Sequence, residues 1–358
     1  TGDEVVLIGT AAGAALTHDT DIDGTICIGY QAGATISDQS GNTLIGYMAG
    51  AAYNAVGSTV VGYGAYDVGT SGGYNTIMGY NAVGASDTAG TNNVYIGERV
   101  ALTVNAAGAD KNTVVGSQAF TGGTSSNEEN VVIGYQSMNH GSNAATGCTI
   151  VGTSAGQGNM TSAANYTVAI GHSAGAAITS AQNSTFVGYQ AGQYITTQDQ
   201  KTLIGYQAGQ KASGSTGLTA VGYGAGLNNR GNSVTAIGVN AGTGHYGSTD
   251  ESVYIGSGAG QYSTTGYFNV IIGNNSGAGT GGTSNVMMGY KVGGGNGANP
   301  TDPMGSFSRN VYIGYLAGDY VGACTNNVMI GADAGRYSNK DNMVAIGAYA
   351  MSNQMASG

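Results

Sequence analysis

A short phrase that recurs along the whole chain constrains the fold more than any other feature of the sequence. Residues 202–209 read TLIGYQAG: a β-branched, a variable apolar and an aliphatic residue precede a glycine, and alanine and glycine follow it at the third and fourth positions. Twenty copies span 338 residues in nineteen steps, about 17.8 residues each, and every step but one lies between 16 and 20. A short regular period along a whole chain predicts stacked supersecondary units.

We number the positions of each copy from its central glycine. The central glycines are Gly9, Gly29, Gly46, Gly62, Gly79, Gly97, Gly116, Gly134, Gly152, Gly171, Gly188, Gly205, Gly222, Gly238, Gly256, Gly273, Gly289, Gly314, Gly331 and Gly347. Position −1 is always Ile, Val or Met, position −3 is Val, Thr or Ile, and position −2 is apolar in all twenty copies. Because side chains alternate along a strand, each copy predicts a short strand that is buried on both faces.

These strands predict an all-β chain, a parallel β-roll (β-solenoid) of about twenty coils in a single repeat domain over residues 1–358. Only one face of each strand can look into its own coil, so we expect an obligate oligomer whose subunits cover the other face side by side. Position −1, nearly constant in size, is assigned to the coil interior, and position −2 to the seam between subunits. The predicted interface residues are Leu44, Val60, Ile77, Val114, Phe186, Leu203 and Ile271.

The remaining positions of the copy predict how each coil closes. Position +4 is Gly in fourteen copies, which permits a positive φ at a corner. Asn precedes the β-branched residue in nine copies, which predicts a turn or a ladder of amides between coils. Tyr occupies position +1 in ten copies and is expected to stack from coil to coil, with structural packing favoured over contact with sugars.

The charge balance excludes two classes of partner. Nine basic and nineteen acidic residues give a net charge of −10 without any basic cluster, so we expect no nucleic-acid partner and no anionic membrane partner. The sequence has neither an 18-residue apolar run nor an apolar leader, so no direct membrane insertion is expected. The three cysteines are odd in number and far apart, which predicts neither a metal site nor a disulfide framework.

One step of the repeat is much longer than the others. The 25 residues from Gly289 to Gly314 contain both prolines of the chain, Pro300 and Pro303. Residues 290–310 therefore predict an inserted Gly/Pro-rich loop, either a tolerated insertion or a receptor contact.

An acidic stretch in the first step resembles the opening of a calcium loop. Asp19, Asp21 and Asp23 alternate and are followed by Gly24, a spacing that can converge oxygen ligands on calcium. The position of the usual closing Glu holds Tyr30. A calcium site therefore competes with a solvated acidic turn.

Two catalytic motifs arise from the repeat itself. GTSAG and GHSAG match the nucleophile elbow of hydrolases, which would make Ser154 or Ser173 a nucleophile. Both lie where other copies read GYQAG, so we expect no enzyme and no catalytic residue. The better candidates for ligand contact are tyrosines in the loops, which could lie against a cell-surface glycan. These tyrosines are Tyr194, Tyr262, Tyr320 and Tyr337.

The phrase TVAIGHSAGAA at residues 167–177 resembles the head repeats of YadA-like trimeric autotransporter adhesins, and IGYQA phrases are similar to those of phage tail fibres. The resemblance covers essentially the whole chain. It implies a left-handed β-roll in a side-by-side homotrimer, located outside the cell on a virion fibre or a bacterial surface. The coils here are longer than those of the adhesin heads, and the chain contains no heptad stalk, membrane-anchoring barrel or chaperone domain.

The function expected from this resemblance is a structural and adhesive fibre segment that attaches to a host or neighbouring cell through a glycan or protein receptor. One alternative is a self-assembling extracellular filament without receptor binding. Another is a flat array that binds ice or mineral, which would need threonines facing outward in register. The regular threonines lie at position −3, which we infer to be buried, so this alternative ranks below the fibre.

Overall fold

A computed structural model describes residues 4–16, 23–84, 90–101, 109–120, 127–140, 143–244, 251–263, 266–294, 304–322 and 324–352. The chain groups into two compact units, Thr1–Asn183 (unit 1) and Ser184–Gly358 (unit 2). In each unit, ten predicted strands occur where the repeat places them. The prediction of an all-β parallel β-solenoid is confirmed.

The described residues of unit 1 contain ten strands and one short 3-10 turn, Ser162–Ala164. The strands are β1 (Val6–Ile8), β2 (Ile26–Ile28), β3 (Thr43–Ile45), β4 (Thr59–Val61), β5 (Thr76–Met78), β6 (Val94–Ile96), β7 (Thr113–Val115), β8 (Val131–Ile133), β9 (Thr149–Val151) and β10 (Val168–Ile170).

In unit 2 the part of the chain that the structure describes contains ten strands of the repeat and two further strands. The strands are β11 (Thr185–Val187), β12 (Thr202–Ile204), β13 (Thr219–Val221), β14 (Thr235–Ile237), β15 (Val253–Ile255), β16 (Val270–Ile272), β17 (Thr280–Thr283), β18 (Val286–Met288), β19 (Met304–Ser308), β20 (Val311–Ile313), β21 (Val328–Ile330) and β22 (Val344–Ile346).

Within each unit, every strand of the repeat pairs in parallel with the strand one turn later. In the pair β12 and β13, for example, Leu203 lies opposite Ala220 and Ile204 opposite Val221. The pairing keeps the repeat in register, so residues at one position of successive turns form a column along the unit. Each column therefore has one environment, and the sequence of the column shows what that environment accepts.

The column of central glycines explains why every copy contains this residue. Gly205 has φ 134°, and a Cβ at this position would lie 2.4 Å from the carbonyl oxygen of Gly222 in the next turn. Backbone therefore packs directly on backbone, in a conformation that only glycine adopts at low cost. The predicted corner glycines also have positive φ, as at Gly209 (φ 53°).

Position −2 lies inside the coil. Nineteen of its twenty side chains are at most 2% exposed within a single chain, and the exception is Leu7 in the first turn, at 46%. The assignment of this position to a seam between subunits is therefore wrong. The seven residues concerned, all at most 2% exposed, are Leu44, Val60, Ile77, Val114, Phe186, Leu203 and Ile271.

The coil interior accepts side chains of different size because the corner glycine leaves room for them. A Cβ on Gly192 would lie 2.4 Å from the Phe186 ring, and one on Gly260 would lie 2.1 Å from the Tyr254 ring. Variation in size at position −2 is therefore compatible with the coil interior. Near-constant size, as at position −1, does not identify the interior face.

Asparagines at position −4 form the amide ladder that the sequence predicts as one of two possibilities. The Asn112 Oδ1 atom accepts hydrogen bonds from the backbone N (3.1 Å) and the Nδ2 atom (3.1 Å) of Asn130. The Asn112 Nδ2 atom donates to the Asn127 carbonyl at 2.7 Å. Buried backbone groups at this corner thus find partners inside the coil, as buried polar groups require.

Part of the predicted inserted loop is a strand. Residues Met304–Ser308 form β19, which pairs in parallel with β17 in a two-stranded sheet. Residues 295–303 lie outside the described residues.

Candidate functional surface

Positions −3, −1 and +1 together form an outward stripe on each unit. Every residue at positions −3 and −1 is half-buried or exposed, for example Ile204 (38%) and Ile237 (39%). The ten tyrosines at position +1 are 40–55% exposed. The two apolar strand faces predicted from the sequence are therefore present, but the outer one consists of positions −3 and −1, so the assignment of position −1 to the coil interior is wrong.

The outward stripe is almost free of charge. The chain has 28 charged side chains, nine basic and nineteen acidic, yet Glu98 is the only Lys, Arg, Asp or Glu among the three stripe positions of the twenty copies. His172 is the only histidine there. Loss of charge from an exposed apolar surface is the compositional mark of the core of a protein–protein interface.

The stripe tyrosines stack in ladders, as predicted. In unit 1 the ring centroids of Tyr47 and Tyr63 are 4.8 Å apart, with 9° between the ring planes. In unit 2 the rings of Tyr206 and Tyr223 are 4.9 Å apart and 3° from parallel. The ladders comprise Tyr30, Tyr47, Tyr63 and Tyr80 in unit 1, and Tyr189, Tyr206 and Tyr223 in unit 2.

Threonines of the stripe face outward in register. Thr185, Thr202, Thr219 and Thr235 occupy four successive turns of unit 2, and each is half-buried. The inference that position −3 is buried is therefore wrong. Three of the same turns carry exposed tyrosines at position +1 on the same face, Tyr189, Tyr206 and Tyr223, so the array is not flat.

The structure brings two of the four predicted ligand tyrosines together. The Tyr320 and Tyr337 rings stack at 5.0 Å, and the Arg336 guanidinium lies 5.5 Å and 5.0 Å from their respective centroids. Such geometry is typical of cation–π contacts. The other two tyrosines, Tyr194 and Tyr262, belong to two other turns. Lys211 Nζ lies 5.9 Å from the centroid of the Tyr194 ring.

Tyr262 is the one of the four tyrosines whose column holds glycine in both neighbouring turns. It is 40% exposed, and the same column holds Gly244 in the turn before and Gly279 in the turn after. Its backbone N donates to the Thr243 carbonyl at 2.8 Å, and its backbone has a positive φ of 60°. Neither flanking residue of the column has a side chain to cover the ring.

Arg336 also links two acidic side chains. Its Nη1 atom lies 2.9 Å from Asp333 Oδ1, and its Nε atom lies 3.5 Å from Asp319 Oδ2. Burial raises the pKa of Asp319 to about 6, although the Arg336 charge acts in the opposite direction. This cluster was not predicted, because Asp319 lies one turn before Asp333 and Arg336 and shares no motif with them.

Two of the three residues of the candidate calcium site lie outside the part of the chain that the structure describes. Asp23 is exposed, whereas Asp19 and Asp21 lie outside the described residues. Among the residues that the structure describes, no group of three His, Cys, Asp or Glu side chains could hold a metal ion. A calcium site at Asp19, Asp21 and Asp23 stays a prediction.

The two candidate nucleophiles have the ordinary backbone of the repeat. Ser154 and Ser173 have φ 55° and 54°, matching Gln190 and Gln207 at the same position of other turns, 55° and 53°. Ser173 Oγ lies 3.0 Å from Nδ1 of the adjacent His172. The resemblance to a nucleophile elbow therefore follows from the shape of the turn.

No protein-family model matches the chain, and no curated protein is significantly similar to it. In the described part of the chain, no helix has the length and apolar character needed to cross a membrane. The strands and their parallel pairing define the chain as an all-β parallel β-solenoid repeat protein.

Proposed function

We propose that this chain is a segment of an extracellular fibre, on a virion or a bacterial surface, that forms a side-by-side homotrimer and attaches to a host or neighbouring cell. The observation that carries the proposal is the nearly uncharged outward stripe, which repeats on every turn of both units. A soluble chain covers so regular an apolar surface by association. The similarity of the repeat to adhesin heads and tail fibres supports the same function.

Receptor contact would then fall outside the stripe. The loop tyrosines Tyr194, Tyr262, Tyr320 and Tyr337 lie in unit 2, and of these Tyr262 has a ring without a neighbouring side chain in its column. A sugar presents one apolar face to an aromatic ring and hydroxyls to polar groups around it, so Tyr262 is the best candidate for a glycan contact.

Cell binding tests the function directly. The fluorescently labelled full chain should bind saturably to the surface of some members of a panel of bacterial strains. Tyr262→Ser should weaken this binding severalfold, whereas Tyr74→Ser, at a tyrosine that is 63% exposed in unit 1, should not. Absence of saturable binding to every strain, together with end-to-end polymers in purified material, would favour the structural filament instead.

A further inference from the structure

We infer that the outward stripe is a docking surface for second copies of this chain, with copies parallel, stripes facing a common axis and the tyrosine ladders as anchors. The inference deepens the proposed homotrimer by naming the contacting residues, and it rests on that proposal. It also separates the stripe from the receptor contacts proposed for the loop tyrosines.

The chemistry of the stripe favours an apolar partner. In unit 2, position −1 offers Val187, Ile204, Val221 and Ile237 in successive turns, and none of the thirty stripe positions of this unit is charged. A nucleic acid, an anionic lipid surface or a strongly charged protein would find no ion pairs there. Interface cores are depleted of charge and enriched in tyrosine, as this surface is.

The area of the stripe is sufficient for a specific contact. Ten strands spaced by ~4.8 Å make each unit's stripe ~45 Å long, and four residue steps of ~3.3 Å make it ~13 Å wide. The product is ~600 Å² for one unit of one copy, and a trimer divides it between two neighbours, so each unit contributes ~600 Å², counted on both partners, to each contact. The stripes of both units add to ~1,200 Å² for each contact, the lower limit of standard interfaces.

The ladders fit a protein partner better than a sugar. Because Tyr47 stacks against Tyr30 on one side and Tyr63 on the other, its ring faces are occupied by other rings. Tyr206 is likewise held between Tyr189 and Tyr223. Such rings present their edges and hydroxyls outward, whereas sugar rings stack on aromatic faces. An edge can insert between the side chains of a facing apolar row, which is how tyrosine anchors protein interfaces.

The periodicity of the stripe selects a second copy as the partner. A surface that repeats one rung at a time over ten turns is matched best by another surface with the same rung spacing. Another copy of this chain supplies that spacing along the full length of the unit. An unrelated globular partner would match it over a few turns only.

Mass measurement in dilute buffer tests the inference on the full chain. The wild type should sediment with the mass of three copies. The double variant Ile204→Lys/Ile237→Lys should retain its β circular dichroism and sediment with one third of that mass, because lysines placed on the stripe of each copy repel one another. Tyr206→Ser should raise the dissociation constant roughly tenfold.

Thr197→Lys adds the same charge at an exposed position outside the stripe and should leave the mass unchanged. An oligomer that survives the double lysine variant would overturn the inference while leaving the proposed fibre intact. A folded wild-type monomer would overturn the inference even if cell binding were observed. If that monomer also slowed the growth of ice crystals, the outward threonines would instead form an ice-binding face.

Discussion

Two stretches of one interior column show how much freedom the repeat allows. At position −4, unit 1 contains Asn75, Asn93, Asn112 and Asn130 in successive turns, and each backbone N–H of the last three donates to the amide oxygen one turn earlier, at 2.8–3.1 Å. In unit 2 the corresponding stretch reads Ser184, Lys201, Leu218, Val234 and Ser252. The strands pair in the same parallel register in both stretches. The fold of the turn therefore does not depend on this column.

Lys201 is the most unusual member of the second stretch. It is 1% exposed, and its Nζ atom donates to both the backbone carbonyl and the Oγ atom of Ser215. Burial lowers the pKa of Lys201 to about 7, with the Asp199 charge acting in the opposite direction. An amide ladder and a buried amine thus occupy the same position of the repeat, position −4. We expect their contributions to the free energy of unfolding to differ in size and in pH dependence.

The backbone column that both stretches share should give the largest effect. Gly205→Ala places a Cβ 2.4 Å from the Gly222 carbonyl oxygen at φ 134°, so we expect a loss of more than about 5 kcal/mol and no folded unit 2. Thermal unfolding followed by circular dichroism measures this loss of stability. Gly217→Ala is the control, since its Cβ would lie 3.6 Å from the nearest atom at φ 67°, and it should cost only about 1 kcal/mol. Equal losses in the two variants would show that close packing of glycine is not what the turn requires.

Lys201→Met should remove a pH dependence of the unfolding free energy that the asparagine stretch, which has no titratable side chain, does not produce. Between pH 10.5 and about 7 the unfolded chain binds a proton that folded Lys201 does not, so wild-type stability falls as pH is lowered through this window and loses nothing further below it. The total change in the free energy of unfolding across this window is about 5 kcal/mol. Denaturant unfolding at pH 7 and pH 10 should show Lys201→Met relatively more stable at pH 7. A difference in unfolding free energy between the wild type and Lys201→Met that is the same at pH 7 and pH 10 would contradict the lowered pKa of Lys201.

Asn112→Leu should show that the ladder stabilises unit 1 even though unit 2 tolerates Leu218. The variant removes the hydrogen bonds that Asn112 makes with the Asn130 backbone N and the Asn127 carbonyl inside the coil, at a net cost of about 2 to 3 kcal/mol. Asn112→Ser is the matched control, because Ser58 Oγ accepts from Asn75 N in this column at 3.0 Å. Chemical denaturation of both variants is the measurement, and a serine variant as unstable as the leucine variant would sink the explanation.

Arg336→Gln tests the acidic cluster and should have a smaller effect. Removing the guanidinium leaves Asp319 buried beside Asp333, with the more weakly acting Lys291 as its counter-charge. We therefore expect about 1 to 2 kcal/mol of destabilisation near pH 8, and less near pH 5, where Asp319 is protonated. Lys111→Gln is the comparison, since the Lys111–Glu129 pair is 60% and 57% exposed and should not change the melting temperature measurably. Equal shifts for both variants would show that burial of the carboxylate is unimportant.

The sequence predicted the fold because every turn repeats the same backbone requirement. A glycine in contact with the glycine of the next turn, preceded by a β-branched, a variable apolar and an aliphatic or Met residue, defines the strand, its parallel partner and its register. The amide ladder and the stacked tyrosines followed from the same period. These features are local to one turn or to the step between turns.

The direction of the two strand faces could not be read in the same way. Alternation shows that positions −3 and −1 share a face, but it does not show which face is inside. That choice depends on contacts such as Phe186 with Gly192, which join opposite sides of a coil. The contacts of Arg336 with Asp319 and of Lys201 with Ser215 escaped prediction for a similar reason, because each joins two turns and no motif links the two residues.

Neighbouring residues of one strand provide the most direct test of the inward and outward assignment. Leu203 is fully buried and Ile204 is 38% exposed. Leu203→Lys should abolish cooperative thermal unfolding of unit 2, because it buries a charge inside the coil. Ile204→Lys should keep the β circular dichroism of the wild type at 20 °C. A folded Leu203→Lys protein together with an unfolded Ile204→Lys protein would contradict the account and return position −2 to the seam.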